Sequence, residues 1–577
     1  MEAAAQGEAR LQDEAVDKSN FKECNQIAFY RRQKLLHPGK SLYRALLDTV
    51  TLSDENVKFQ IIHEENKVLL QVEIYEIEGN IFRLKINEAA PLRARYEVPD
   101  VLIKEPATQK LSMSQKEEGV LVLTGVNEDY KLRVTANPFQ VEIQFKDEPL
   151  LSMNSNGLLY FEHLQPPPSD RNPTAENEEA AGDSSKDNQE DLGLWQEKFG
   201  SFLDIKAHGS SYYLDFTNPE VRKWYADQFA FKTYKGSTNI LFIWNDMNEP
   251  SVFKGAELTM QKDAVHYNNW EHRELHNLYG FYQQMATAEG LIKRSSGKER
   301  PFVLTRSFFA GSQKYADVGG FIGDPEPELL VRWYQAGAYQ PFFRGHSNME
   351  SKRREPWLFG EKNTQIIREA IRERYVLLPY LYTLFYRAHT EAEPVMRPLW
   401  IEFPDKLETF GVEDEYMLGN ALLVYPVTDK EAKAVSVLLP GSEEVWYDFR
   451  KFNRMEDQGT LKIPVTLENA CAVGELYLDD GHSFQYLHKK QFLHRKFTFH
   501  KNILSSSCTG ESGQYRTTCV VERVIFLGFG QQPSLVTACS KGGKEKEVVF
   551  TYDTKTAVLI LENLALRVDS DWEICIK

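Results

Sequence analysis

The chain is poor in cysteine, in base and in long apolar runs. Its six cysteines (Cys24, Cys471, Cys508, Cys519, Cys539 and Cys575) are scattered over 577 residues. None forms a Cys-x-x-Cys pair or a Cys/His cluster, so neither a zinc module nor a disulfide framework is indicated. No Asn-x-Ser/Thr acceptor occurs, because the proline of Asn172-Pro173-Thr174 disqualifies that site. Lys and Arg number 68 against 84 Asp and Glu, a formal net charge of −16. That balance argues against nucleic acid and against an anionic membrane as partners, since both reward a basic face. The most apolar run, 376–386, is broken by Pro379. It is well short of the ~20 apolar residues that span a bilayer. The first residues carry acids and no apolar core, so no secretory signal is expected there. The expectation is a soluble, reduced, intracellular protein, placed in the cytoplasm rather than the endoplasmic reticulum.

Aromatic residues are plentiful: 34 Phe, 27 Tyr and 9 Trp. Such rings fill cores, and they also line sugar clefts, where flat rings meet flat ligands. The length suits roughly three to five domains. Residues 22–165 show short apolar alternations, as in Phe59-Gln-Ile-Ile, Val68-Leu-Leu-Gln-Val-Glu-Ile and Ile81-Phe-Arg-Leu-Lys-Ile. Period two with turns between predicts strands, and their spacing predicts a β-sandwich. Residues 166–191 carry eight acids and two bases, which predicts a solvated linker. From about 210 the pattern turns α/β. Asn218-Pro219 starts a helix, with Asn as N-cap and Pro at the first position. The continuous apolar runs 240–244 and 301–305 predict strands buried on both faces. Long helices are expected over 271–293, 328–338 and 364–389. Strand patterns return at 421–425, 435–439 and 474–478, and continue through 494–577.

The sharpest feature is Trp244-Asn245-Asp246-Met247-Asn248-Glu249-Pro250. Asp246 and Glu249 lie just past the end of a candidate strand, the end that carries the active site in parallel α/β barrels. A carboxylate there, beside an aromatic ring, suits a nucleophile that attacks a sugar carbon and forms a covalent intermediate. From position alone, Asp246 fits a loop cap equally well, and Glu249 an ion pair with a base.

The heptapeptide resembles the nucleophile signature of glycoside hydrolase family 31, the retaining α-glucosidases. Further segments follow in that family's order: Phe302-Val-Leu-Thr-Arg306-Ser, Ala316-Asp317-Val-Gly-Gly-Phe321, Tyr339-Gln-Pro-Phe-Phe-Arg-Gly-His346 and Arg353-Arg-Glu-Pro-Trp357. The resemblance implies a multidomain protein. It would hold a truncated, galactose-mutarotase-like N-terminal β-sandwich over 1–165, an acidic linker over 166–191 and a residual N-domain segment over 192–209. An incomplete (β/α)8 barrel over 210–394 and C-terminal β-domains over 395–470 and 471–577 would follow. It implies release of terminal non-reducing glucose from α-linked, mainly 1,4, oligosaccharides, with no cofactor and no metal. By position, Asp246 matches the nucleophile, with Glu249 in support. Trp244 and Met247 match pocket walls, Arg306, Asp317 and His346 match groups that hold sugar hydroxyls, and Phe321 matches an aromatic wall. Outside the motifs these residues read plainly: Arg306 as an ion pair, Asp317 as a turn former, His346 as a core histidine.

The chain departs from the family where a retaining glycosidase needs its second carboxyl. That group is the Asp of a Trp-x-Gly-Asp-Asn motif, and no such motif occurs in the 577 residues. Gly311-Ser-Gln-Lys-Tyr315 runs straight into Ala316-Asp317, so the general acid/base reads as deleted. A larger gap joins Asp204-Ile-Lys-Ala-His-Gly209 to Leu214-Asp-Phe-Thr-Asn-Pro219, and a smaller one lies near Ala470-Cys471. A complete barrel takes about 250 residues, whereas 210–394 holds 185. Asp317, Asp324 and Glu326 are the nearest acids in sequence that could substitute. A catalytically impaired form, with at most sugar binding, is the alternative expectation, and a scaffold built from the β-domains is a third.

Overall fold

The computed structural model describes residues 28–37, 39–99, 104–164, 213–251, 259–309, 315–432, 434–441, 445–453, 472–509 and 513–577, with 25, 101 and 102. The acidic stretch 166–191, the segment 192–209 and cysteines 24 and 471 lie outside the described residues. The chain forms two compact units. One comprises Met1–Ala226, Ile243–Thr287 and Val303–Phe309; the other comprises Asp227–Phe242, Ala288–Phe302 and Ala310–Lys577.

The first unit holds a β-sandwich of two five-stranded antiparallel sheets. In one sheet, Tyr43–Leu52, Val57–His63, Leu69–Ile77 and Ile81–Glu88 lie in chain order. The other runs from Glu148–Met153 through Gln140–Phe145, Tyr130–Thr135 and Val120–Thr124 to Ser112–Glu117. Alternation decides which side chains go in. Val57, Phe59 and Ile61 are fully buried, while Lys58, Gln60 and Ile62 are only partly so. Phe59, Ile61, Val72 and Ile74 share a core with Leu121, Leu123, Leu132, Val134 and Phe139 of the facing sheet. Each such side chain contributes roughly 1.5–3 kcal/mol by leaving water.

The same unit holds a fragment of the barrel. Strand Ile243–Asn245 pairs in parallel with Val303–Thr305. Helix Pro219–Asp227 begins as expected, with Asn218 Oδ1 accepting the Glu220 amide at 2.9 Å. The long helix expected over 271–293 is instead a short helix His272–Leu275, a 3-10 turn His276–Leu278 and a helix Tyr279–Arg294. Across that break three imidazoles bond in series: His266 Nε2 to His272 Nδ1 at 3.0 Å, and His272 Nε2 to His276 Nδ1 at 2.8 Å. Phe216, Leu275, Leu278, Tyr279 and Tyr282 close a small core beside them.

In the second unit, strand Tyr315–Val318 pairs in parallel with Phe342–Gly345. Helices Pro327–Gly337 and Glu361–Glu391 follow, the latter with Pro379 inside it. A three-stranded sheet of Met396–Arg397, Tyr416–Leu418 and Leu422–Val424 comes next. The C-terminal part is a six-stranded sheet with a three-stranded one, sharing a core of Phe499, Phe526, Leu559 and Ile574. The strand expected at 435–439 does not form, although Val437 is buried. The Leu438 amide there donates to the Glu415 carboxylate at 2.9 Å, not to a neighbouring strand.

The barrel is incomplete. Among the described residues its parallel strands occur as two separate pairs. The expectation that runs 240–244 and 301–305 are buried on both faces is therefore wrong. Ile240 is 75% exposed, Phe242 70% and Phe302 46%. A parallel strand is covered when strands flank it on both sides and helices lie over its faces. Among the described residues these strands have one partner each. No described helix is long and apolar enough to cross a membrane.

Candidate active site

Strand Ile243–Asn245 ends where the acidic motif begins, so Asp246 leaves its C-terminal end. The ladder carries one step further, with the Arg306 amide donating to Asn245 O at 3.0 Å. This brings Arg306 beside both acids. Its Nε donates to Glu249 Oε1 at 2.9 Å, and its Nη1 lies 3.7 Å from Asp246 Oδ1. One planar guanidinium thus faces both carboxylates, as its fork of donors allows. The Asp246 side chain is 35% exposed, open to an incoming molecule. Glu249 Oε2 is buried and meets no donor among the described residues.

Two asparagines hold this arrangement, and the sequence reading assigned them no role. Asn245 is buried and its Nδ2 donates to Thr287 Oγ1 at 3.0 Å. Asn248, also buried, donates to Thr305 Oγ1 at 2.8 Å and accepts the Ser307 amide at 2.8 Å. Between them Met247 takes a left-handed conformation, φ +52°. Such a conformation costs an L-residue roughly 1–2 kcal/mol, which the buried bonds on either side offset. Trp244 and Met247 are each 37% exposed. Gly280 lies against this loop; a Cβ there would fall 2.4 Å from Ser307 O. Buried Asn on both sides of an acid was the available sequence signal, and Asn is too common in turns for it to stand out.

The remaining candidates belong to the second unit. Asp317 lies on strand Tyr315–Val318, opposite Arg344 in register, and accepts from Arg344 Nε at 3.0 Å. Phe321 and His346 stack with centroids 5.4 Å apart and planes 30° apart. The Gly319-Gly320 turn between Asp317 and Phe321 is gripped by the buried Arg354. That guanidinium donates to Gly319 O at 3.0 Å, Gly320 O at 2.6 Å and Gly323 O at 2.7 Å. Both glycines have positive φ, near +89° and +80°, which a side chain would strain. Asp324 Oδ1 accepts the Lys352 amide at 2.8 Å, and Glu326 pairs with Lys430 at 3.0 Å. All three acids nearest in sequence that could substitute for the missing one, Asp317, Asp324 and Glu326, are thus held by other partners. Arg344 and Arg354 were not anticipated, because parallel register brings Arg344 to Asp317 across 27 residues of chain.

Comparison with known proteins agrees with the motif order. The glycosyl hydrolases family 31 TIM-barrel domain matches 168–316 and 316–384, in two pieces that meet at the expected junction. The family's C-terminal domain matches 392–482, and its N-terminal galactose mutarotase-like domain 71–238. Neutral alpha-glucosidase C of Homo sapiens is 40% identical over 911 aligned positions, covering all of both chains. With only 577 residues here, that alignment must pass through internal gaps in this chain. The Macaca fascicularis neutral alpha-glucosidase C is 56% identical over 438 residues, 63% of this chain and 57% of the relative. The fold resembles the crystal structure of the glucosidase II alpha subunit, with a TM-score of 0.76 and 22% identity over 96% of this chain and all of that one. The chain belongs to glycosyl hydrolase family 31.

Proposed function

We propose that this chain retains the nucleophile half of a retaining α-glucosidase and lacks the half that moves protons. The observation that carries this is the pairing of Asp246 with Arg306 at a strand's C-terminal end, in a sequence with no Trp-x-Gly-Asp-Asn motif. The relatives named neutral alpha-glucosidases support α-glucosides as substrates, with terminal non-reducing glucose in mainly 1,4 linkage as the unit released. Asp246 attacks the anomeric carbon from the face opposite the leaving group. Arg306 holds the carboxylate's orientation and is itself fixed by Glu249. Trp244 and Met247 give the sugar an apolar wall, and Arg306 can donate to a hydroxyl when Asp246 turns to react. By family pattern alone, Asp317, Phe321 and His346 match sugar-holding positions.

In a complete retaining enzyme a second carboxyl, about 5–5.5 Å from the first, protonates the leaving oxygen and later deprotonates water. Such positioned assistance supplies typically 10²–10⁴ in rate. Without it an alkoxide must leave unprotonated and water must attack unaided. Turnover of maltose by the purified chain should therefore lie at least that far below a complete relative. Asp246→Asn should remove what remains. Maltose turnover equal to a complete relative's would refute the reading.

A further inference from the structure

We propose that Trp400 and Phe410 form a second carbohydrate site, a stacking platform for an α-linked glucan chain. The two rings lie in the second unit, on elements other than those that carry the candidate active-site residues. The ligand class rests on the reading that this chain's substrates are α-glucosides; the site itself does not depend on Asp246.

Two short elements build the platform. Helix Leu399–Glu402 sinks Leu399 into a core with Met417, Leu423, Val437 and Trp446, which turns the next side chain, Trp400, toward solvent. The 3-10 turn Leu407–Gly411 repeats the arrangement: Thr409 is fully buried and the next residue, Phe410, is 56% exposed. The two elements are tied through their backbones. Thr409 Oγ1 donates to Lys406 O at 2.7 Å and to Phe403 O at 3.3 Å, and the Phe403 amide donates to Leu399 O at 2.9 Å. Hydrogen bonds beneath the rings thus fix their spacing, and a ligand meets a surface already in place, which lowers the cost of binding.

The geometry selects a flat ligand with a polar rim. Trp400 is 43% exposed, and its ring and that of Phe410 have centroids 6.4 Å apart and planes 19° apart. Rings offset in this way present two neighbouring faces, and the apolar face of a pyranose packs on each. The 19° inclination suits the curved chain of an α-glucan better than the flat ribbon of a β-1,4 glucan. Asp405, Lys406 and Glu408 stand on the turn between the rings, the two acids exposed. Carboxylates there can accept vicinal hydroxyls, and the ammonium can donate to them. The acids count against an anionic membrane or a nucleic acid as occupant. Area counts against a protein. The two rings together expose roughly 150–250 Å², taking about that area for one whole ring, and the exposed Leu407 widens the patch only modestly. A stable protein interface takes about 800 Å² from each partner.

The test is native electrophoresis of the full 577-residue chain through gels with and without soluble starch. Starch should retard the chain, and free maltoheptaose should relieve the retardation. Trp400→Ala and Phe410→Ala should each raise the starch concentration for half-maximal retardation roughly fivefold or more, the low end for an aromatic platform that loses one stacked ring. Trp400→Tyr keeps a ring and should stay retarded, which separates a lost ring from a lost fold. Trp244→Ala should also stay retarded, because the starch is held outside the candidate active site. Retardation lost in Trp244→Ala but kept in Trp400→Ala and Phe410→Ala would overturn the inference and leave α-glucoside binding at the active site standing. No retardation by starch would overturn the inference alone, since turnover of dinitrophenyl α-glucoside reads the active site separately. Equal retardation by a β-glucan would show an aromatic patch without α-preference and would overturn it. A dimer that Trp400→Ala renders monomeric in sedimentation would show that a second copy covers the rings, with the same consequence.

Discussion

The N-terminal sandwich and the barrel fragment respond differently to missing chain. In the sandwich each strand pairs with a neighbour close in sequence, and Phe59, Ile61, Val72 and Ile74 are wholly buried. In the barrel fragment the strands stand in isolated pairs, and Ile240 and Phe242 are more exposed than covered. An antiparallel sheet is built from hairpins, so each added strand finds its partner at once. A barrel has no edges only when every strand is present, and removing some leaves the others with open edges. Local pairing survives deletion; closure does not.

Four changes sharpen this contrast. The largest effect is catalytic: maltose turnover should fall 10²–10⁴ or more below a complete family member. Initial-rate assays on the two proteins side by side would check it. Next, Phe59→Ala should cost the sandwich about 3–5 kcal/mol, because it empties a fully buried site. Denaturant titration of the sandwich transition reads this directly. A smaller effect comes with pH. Burial pushes His272 down from 6.5 to about 4, and neighbouring His276 and His266 push the same way. The unfolded chain takes that proton near pH 6.5, and the folded one only near pH 4. Stability of the barrel fragment should therefore fall as pH drops through that window. Asp215 continues the trend lower down. Burial works to raise its carboxyl, yet bonds from His266, Thr217 and the Tyr267 amide hold it at about 2, from 3.8. That contribution is lost between those values on further acidification. Hydrogen exchange, corrected for its intrinsic pH dependence, should show 272–294 loosening before 57–63. The smallest effect is Phe242→Ala. A side chain 70% exposed should change stability by about 0.5 kcal/mol or less. A loss resembling that of Phe59→Ala would mean the barrel fragment has a cover that the contrast denies.

Much of this was readable from residues alone. Alternation placed the strands at 57–63, 69–77 and 81–88, since which face is buried depends only on local period. Asn218-Pro219 marked a helix start for local reasons too. The failures among the strands were non-local. The runs 240–244 and 301–305 are apolar because a complete barrel would bury them, and hydrophobicity does not record whether the partners are present. At 435–439 apolar character meant burial of Val437, without a strand. In the site, Asp246 and Glu249 stood out by motif. Their partner Arg306 came from a segment known by resemblance, and Asn245 and Asn248 showed their work only through Thr287, Thr305 and Ser307.

The most direct test of the central claim is how turnover depends on the leaving group. The full chain would be assayed on a series of α-glucosides from dinitrophenyl to alkyl, beside a complete relative. A site with Asp246 and no proton donor predicts a steep fall in kcat/KM as leaving-group pKa rises, with dinitrophenyl glucoside least affected. A shallow dependence parallel to the relative's, abolished by Asp246→Asn, would show that a proton donor is present after all.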